Sequence, residues 1–560
     1  MKKTYLFLAV LLTFALSACQ SEKSSVLNLP VDEYESKMKA AWIGQMVGVG
    51  RGFPTEFKWR GEIIPEKEVP LWTPETVNQY EQDDLYMEMI FLESMDKYGI
   101  DVSTRSAGID FANTRFPLFC ANYRGRENLR EGIAPPASGH PRFNINCDDI
   151  DYQIEADYSG IIAPGMPQVA IDLGEKFGSM MNYGDGMYAG QFVGGMYAAA
   201  FFESDLEKII QKGLECIPDS SLYAACMRDV IAWYHLDTLD WQGTWNKIMD
   251  KYYRTLDNQP LHRKGVGAWL DIDVKINGSF IVLGLLYGHG DIDSTFQISV
   301  RSGFDSDCNP SSALGILFTS KGMENIPEKY YSALNESRKF SYTRYNFPEL
   351  LAVSGKLAKL FIERQGGGIK KDRDGRACFV IPVKQPVPSK LVRSWDPEQV
   401  ADEASVRLTE EEMKEIRFVP SKLMEQVMKA FTPAPDLKIW NVTKASCSQF
   451  VSLAGRDKVL QLGGFEMSGP LPVPDVEKPE IKFSVMNEPG KTYRLSVVME
   501  HMSADKSVFE FAINDSLTAQ GWYDITCDLS KYRGKSVGFW MTGENSDEDN
   551  KIFISNMRIE

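Results

Sequence analysis

Gly303-Phe304-Asp305-Ser306-Asp307-Cys308-Asn309-Pro310, running straight into Ser311-Ser-Ala-Leu-Gly-Ile-Leu317, is the stretch on which the reading of this chain turns. Oxygen-bearing side chains alternate in it, as they do where a calcium loop of the helix-loop-helix kind begins. The later positions exclude that loop. Pro310 stands where it needs glycine, and Ile316 where it needs a bidentate glutamate. What remains is a short acidic loop feeding a helix of small residues, either a plain helix cap or half of a ligand site. A second acidic cluster, Gln82-Asp83-Asp84, opens another helical stretch, in which Leu85, Met89 and Leu92 share one face. Acidic residues favour helix starts without any ligand, because they face free N–H groups and the positive end of the helix dipole. If the two clusters meet in space, however, four carboxylates share one pocket. Their mutual repulsion is then most simply relieved by a divalent cation.

A third segment, Ala41-Trp-Ile-Gly44-Gln-Met-Val-Gly48-Val49-Gly50-Arg-Gly52-Phe-Pro54-Thr-Glu56-Phe57, spaces glycines along a helix and its exit. Glycines so placed let a second backbone or a ligand come close. Glu56, just after the turn, is either a cleft residue or a solvated glutamate at a packed helix end. Gly190–Ala200 and Asn277–Tyr287 read as buried helices, the first by its small residues and the second by being apolar nearly all round.

Taken together, these segments resemble the ADP-ribosylglycohydrolase superfamily in order and content. Gly44, Gly48, Gly52, Pro54 and Glu56 fit its opening motif, Asp83 and Asp84 its paired aspartates, and Gly303, Asp305, Asp307 and Asn309 its closing motif. Asp157-Tyr-Ser-Gly160-Ile-Ile-Ala-Pro164-Gly165 resembles the family's glycine-rich substrate loop. The resemblance covers roughly Tyr34 to Tyr331. It implies a compact all-α core whose cleft holds one or two Mg2+ (or Mn2+) ions and cleaves a glycosidic bond at an anomeric carbon. It implies metal ligation by Gln82, Asp83, Asp84, Asp305 and Asp307. It also implies a water-handling role for Glu56 and substrate contacts from Asp157, Gly160, Asp185 and Asn309. Three positions depart from the pattern. Val49 stands where the family has aspartate, and Gln82 and Cys308 stand where it has threonine. A thiol is a poor partner for Mg2+, so one metal position is expected to be weakened. The rival reading is a non-catalytic sugar- or nucleotide-binding protein with a degenerate metal site.

The chain has 560 residues, 25% charged and 43% hydrophobic, ordinary proportions for a globular protein with more than one core. A net charge of −16 and no basic stripe argue against nucleic acid as a partner. A small-molecule or oligosaccharide substrate is expected instead. Lys2, Lys3, an apolar run and Leu16-Ser-Ala-Cys19 read as a lipoprotein signal over 1–18, with Cys19 lipidated. This implies export and anchoring at the outer membrane, on its periplasmic or surface face, by the lipid alone. Residues 19–32 read as a tether, 33–364 as the helical catalytic domain and 365–435 as a connecting segment. Residues 436–560, where the period switches toward two, read as a β-sandwich. The last strand, from Lys551 to Ile559, resembles that of jelly-roll modules in secreted carbohydrate-active enzymes. The expected architecture is therefore multidomain, with an all-α core followed by an all-β, jelly-roll-like sandwich. Nine cysteines with no CxxC pair argue against structural zinc. Cys120 with Cys147, and Cys216 with Cys226, are candidate bridges.

Overall fold

A computed structural model describes residues 26–114, 116, 118–144, 146–254, 272–400, 406–417, 441–445, 449–463, 465–500, 506–534, 536–544 and 550–560. The stretch expected to be a lipoprotein signal, with Cys19, lies outside the described residues.

The N-terminal two thirds is helical. The first helix, Val31–Gly52, is buried along most of its length and runs into a short 3-10 turn, Phe53–Thr55, where Pro54 cannot continue the α-helical ladder. The Asp83–Tyr98 helix stops at Gly99, whose φ of 88° only glycine adopts readily. Val274–Tyr287 is buried along its whole length and capped by Asp273, whose carboxylate accepts the Lys275 N–H. The Cys308–Lys321 helix is buried up to Thr319 and ends at Gly322. Phe347–Arg364 opens with a capping box between Asn346 and Glu349. These helices share one apolar core that runs from Leu29 to Ile416.

Two sequence expectations need correction here. Residues 26–30 are not tether. Val26–Pro30 forms strand β1, which pairs antiparallel with β3 (Ala377–Pro382), and β3 pairs in turn with β2 (Gly368–Lys371). The sheet is built from the stretches read as tether and connecting segment, and the core read as all-α over 33–364 is helical as expected. The partners lie some 350 residues apart in the chain, so no local pattern announces the pairing. Nor are the candidate cysteine pairs bonded, for Cys120, Cys147, Cys216 and Cys226 are free thiols.

After β3 the chain lies along the helical unit. The Tyr188 hydroxyl donates to the Lys390 carbonyl and accepts the Val392 N–H, Ala134 N–H bonds the Val406 carbonyl, and Arg105 pairs with Glu412.

From residue 441 onward the described chain forms two five-stranded antiparallel sheets, with one short 3-10 turn at Ser530–Tyr532. The ten strands are β4 Asn441–Ala445, β5 Gln449–Leu453, β6 Arg456–Leu462, β7 Phe465–Pro472, β8 Glu480–Asn487, β9 Tyr493–Glu500, β10 Lys506–Ile513, β11 Tyr523–Asp528, β12 Ser536–Glu544 and β13 Ile552–Ile559. One sheet runs β10-β9-β12-β7-β4 and the other β11-β8-β13-β6-β5. Alternate residues of β8 (Ile481, Phe483, Val485) and β9 (Tyr493, Leu495, Val497, Met499) supply the core between them.

Candidate metal and active site

The site is built on backbone contact between two helices. Gly44, Gly48 and Gly52 recur every four residues and so form one stripe on the first helix. A methyl group at Gly44 would meet the Leu314 carbonyl oxygen at 2.6 Å. At Gly48 it would meet that of Pro310 at 2.3 Å, and at Gly52 that of Ser306 at 2.3 Å. The glycines thus let the Cys308 helix and its acidic loop lie directly on the first helix. Their service is to helix packing, which then aims the loop.

The loop itself is pinned on three sides. Gly303 and Phe304 both take positive φ, 82° and 59°, which for phenylalanine is a strained conformation. Phe304 N–H donates to the Trp59 carbonyl and its own carbonyl accepts the Phe57 N–H, each at 2.9 Å. The hydroxyls of Thr55 and Ser306 are 2.8 Å apart. Asn277, from the Val274–Tyr287 helix, accepts the Asp305 N–H at 3.4 Å and an amide hydrogen of Asn309 at 2.9 Å. Glu56, flanked by Thr55 and Phe57, is thereby fixed to the segment that carries Asp305 and Asp307.

The two acidic clusters meet. The Cys308 thiol donates to Asp84 Oδ1 at 2.8 Å and lies 3.9 Å from Asp307 Oδ1. Ligand atoms of Asp305, Asp307 and Cys308 all lie within 4.8 Å of one another. Asp84, Asp305 and Asp307 are no more than 3% exposed, yet Asp84 Oδ2 and Asp305 Oδ1 have no hydrogen-bond partner.

Burial, with the charges of neighbouring carboxylates, holds Asp84, Asp305 and Asp307 well above the usual carboxylate range. Asp83, half-buried, is raised by loss of water. Glu56 is pushed up to about 8, first by burial and then by Asp307 and Asp83. No lysine or arginine is among the groups that act most strongly on these five. Unpartnered, buried, mutually repelling carboxylate oxygens fit a divalent cation. The Cys308 thiol, which burial and the adjacent aspartates hold in its protonated form, is the one donor that departs from a hard-oxygen set.

The other residues singled out in the sequence occupy different places. Gln82 precedes the Asp83 helix and its amide reaches Gln79 at 3.4 Å. Asn309 is buried against Asn277, with its own carbonyl oxygen unpartnered. Asp157 is buried, accepting from the Tyr197 hydroxyl at 3.0 Å and from Ser312 at 3.2 Å; burial pushes its carboxyl up to about 8. Gly160 is a packing position, since a methyl there would meet the Gly194 carbonyl oxygen at 2.2 Å. Asp185 caps no ligand loop. It begins the Asp185–Ala200 helix and accepts the Tyr223 N–H. It belongs with Asp148, Asp273 and buried Lys275, whose ammonium lies 2.7 Å from Asp273.

Sequence reasoning missed Asn277, the clamp of the acidic loop. Its signal was available, an amide in a helix otherwise apolar. It also missed Glu88, buried one turn beyond Asp84, whose carboxylate accepts the Tyr158 N–H. Cys120 was noted only as a pairing candidate. Its thiol feels Asp149 and Asp151 as well as Asp305 and Asp83, so the acidic lining continues past it.

The ADP-ribosylglycohydrolase family model matches residues 30–367. The chain belongs to the ADP-ribosylglycohydrolase family. The match starts at the last residue of β1 and ends just before β2, so it takes in the helices from Val31–Gly52 to Phe347–Arg364 and every residue of the site. No curated protein matches the chain. Among solved structures, an ADP-ribosylglycohydrolase-related protein complex aligns at 12% identity and a TM-score of 0.37, covering 59% of this chain and 99% of that one. TmCBM61, solved in complex with beta-1,4-galactotriose, aligns at 12% identity and a TM-score of 0.17, over 20% of this chain and 81% of its own. BtGH115A, a family GH115 4-O-methyl-alpha-glucuronidase, aligns at 9% identity and a TM-score of 0.15, over 67% of this chain and 40% of its own.

Proposed function

We propose that this ADP-ribosylglycohydrolase family member is a divalent-metal-assisted hydrolase of glycosidic bonds. Its substrate would be a ribosyl, furanosyl or other glycan group outside the inner membrane, and Cys19 would carry the lipid that holds it at the outer membrane. The observation that carries the reading is the meeting of Asp84 with Asp305, Asp307 and Cys308 across 224 residues of sequence.

Asp83, Asp84, Asp305 and Asp307 would hold the cation. When bound, a divalent ion supplies charge that orients sugar hydroxyls and lowers the pKa of a water. Glu56 would accept a proton from the attacking water on its carboxylate. A cation held by Asp307 and Asp83 would offset their share of the upward push on Glu56, which comes first from burial and then from those two charges, and so would favour its ionised, proton-accepting form. Glycosidic cleavage develops positive charge at the anomeric carbon, and a cleft lined by carboxylates favours that charge. Asp157 would contribute from behind, held by Tyr197 and Ser312.

The test is turnover of a pentofuranosyl and oligosaccharide library, with product masses, by wild type and by Asp305→Ala. The proposal expects a released sugar with wild type only. Ligand capture without turnover would favour the binding-protein reading instead.

A further inference from the structure

We infer that Cys308 is itself a metal ligand and that the site prefers a sulfur-accepting divalent ion, Zn2+ in first place, over Mg2+. The inference rests on the metal-assisted reading above and goes beyond it in the identity of the ion. Three observations support it. Donor atoms of Cys308, Asp305 and Asp307 already lie within 4.8 Å of one another, and the 3.9 Å from the Cys308 sulfur to Asp307 Oδ1 is within the roughly 4.3 Å that bonds of about 2.0 Å to oxygen and 2.3 Å to sulfur can span, so small side-chain rotations bring the set around one ion. The thiol is aimed into the carboxylate nest, 2.8 Å from Asp84 Oδ1, and is 4% exposed. Asp84 Oδ2 and Asp305 Oδ1, on residues 1% and 3% exposed, have no partner within the protein.

The donor chemistry then decides. Mg2+ takes near-octahedral oxygen and keeps its waters, whereas zinc forms stable sites of mixed carboxylate and thiolate ligands. Asp84, Asp305, Asp307 and Cys308 would supply three oxygens and one sulfur. On binding, a sulfur–metal bond forms and the thiol proton leaves to water, so one proton is released per ion from Cys308.

The experiment uses the anaerobic full chain and Co2+ as a spectroscopic stand-in for Zn2+, with Cys308→Ser and Cys308→Thr as variants and circular dichroism as the folding control. Wild type should develop a near-ultraviolet sulfur-to-cobalt charge-transfer band at one equivalent, and Zn2+ but not Mg2+ should abolish it. Both variants should lose the band and bind Zn2+ roughly 10–100-fold more weakly, with Mg2+ affinity unchanged or improved. Calorimetry in buffers of different ionisation enthalpy should show one proton fewer released by the variants. Mg2+ binding without any cobalt–sulfur band would overturn the inference and leave the metal-assisted reading standing. Failure of every cation to bind the folded wild type would overturn both.

Discussion

At the residue scale, the acidic side chains are ordinary and their setting is not. Glu56 is the candidate base because Thr55 and Phe57 tie it to the acidic loop, and because burial and two aspartates push it up to about 8, from which a bound cation would lower it. Glu56→Gln should lower turnover by about 10²–10⁴-fold while leaving the metal isotherm in place; an unchanged rate would remove Glu56 from the chemistry. Asn277 acts one step away, by fixing the Asp305 backbone and the Asn309 amide. Asn277→Leu should weaken metal binding by roughly 10–100-fold with only a modest loss of stability, read by calorimetry and thermal melting together. The aspartates themselves were legible in the sequence, since clustered carboxylates demand an explanation. Asn277 was legible only in principle, as one amide among apolar neighbours. The placement of Asp185 beside Lys275 was not legible, because that charge partner comes from a helix 90 residues later.

At the scale of elements, the glycine stripe of the first helix does what close spacing suggested, with a partner the sequence left unnamed. Gly48→Ala puts a methyl 2.3 Å from the Pro310 carbonyl and should cost about 1–3 kcal/mol in chemical denaturation. It should also weaken metal binding, because the Cys308 helix must move away; full stability would contradict the packing described. Helices were legible wherever the apolar pattern was strong, as in Asp83–Tyr98 and Val274–Tyr287. The sandwich was legible as a switch toward alternation over 436–560 and, as a single strand, at its end, where the run from Lys551 to Ile559 covers β13. Strand pairing over long separations, such as β1 with β3, leaves no local trace at all. Phe483→Ala, in the sandwich core, should cost that unit about 3–5 kcal/mol and leave metal affinity untouched.

At the scale of the molecule, the metal-free protein carries a concentration of buried acid that makes stability depend on pH in an unusual direction. Glu56 and Asp157 are each pushed up to about 8 in the fold against ordinary values of 4.5 and 3.8, and burial with neighbouring charges also holds Asp84, Asp305 and Asp307 well above the usual carboxylate range. The folded state therefore binds more protons than the unfolded state between those limits. Stability is fully present below the ordinary carboxylate values and is lost as pH rises through about 8. The melting temperature of chelator-treated protein should fall from pH 5 to pH 8, and a saturating divalent ion should remove most of that slope by binding the ionised form. A slope of the opposite sign would mean that the carboxylates are paired with cations of the protein. The central claim is that distant acidic segments close around one cation, and anomalous diffraction from a Mn2+-soaked crystal addresses it most directly. The account predicts a peak coordinated by Asp84, Asp305 and Asp307 beside Cys308. A peak elsewhere, or none in a crystal whose Asp84 and Asp305 face apart, would contradict it.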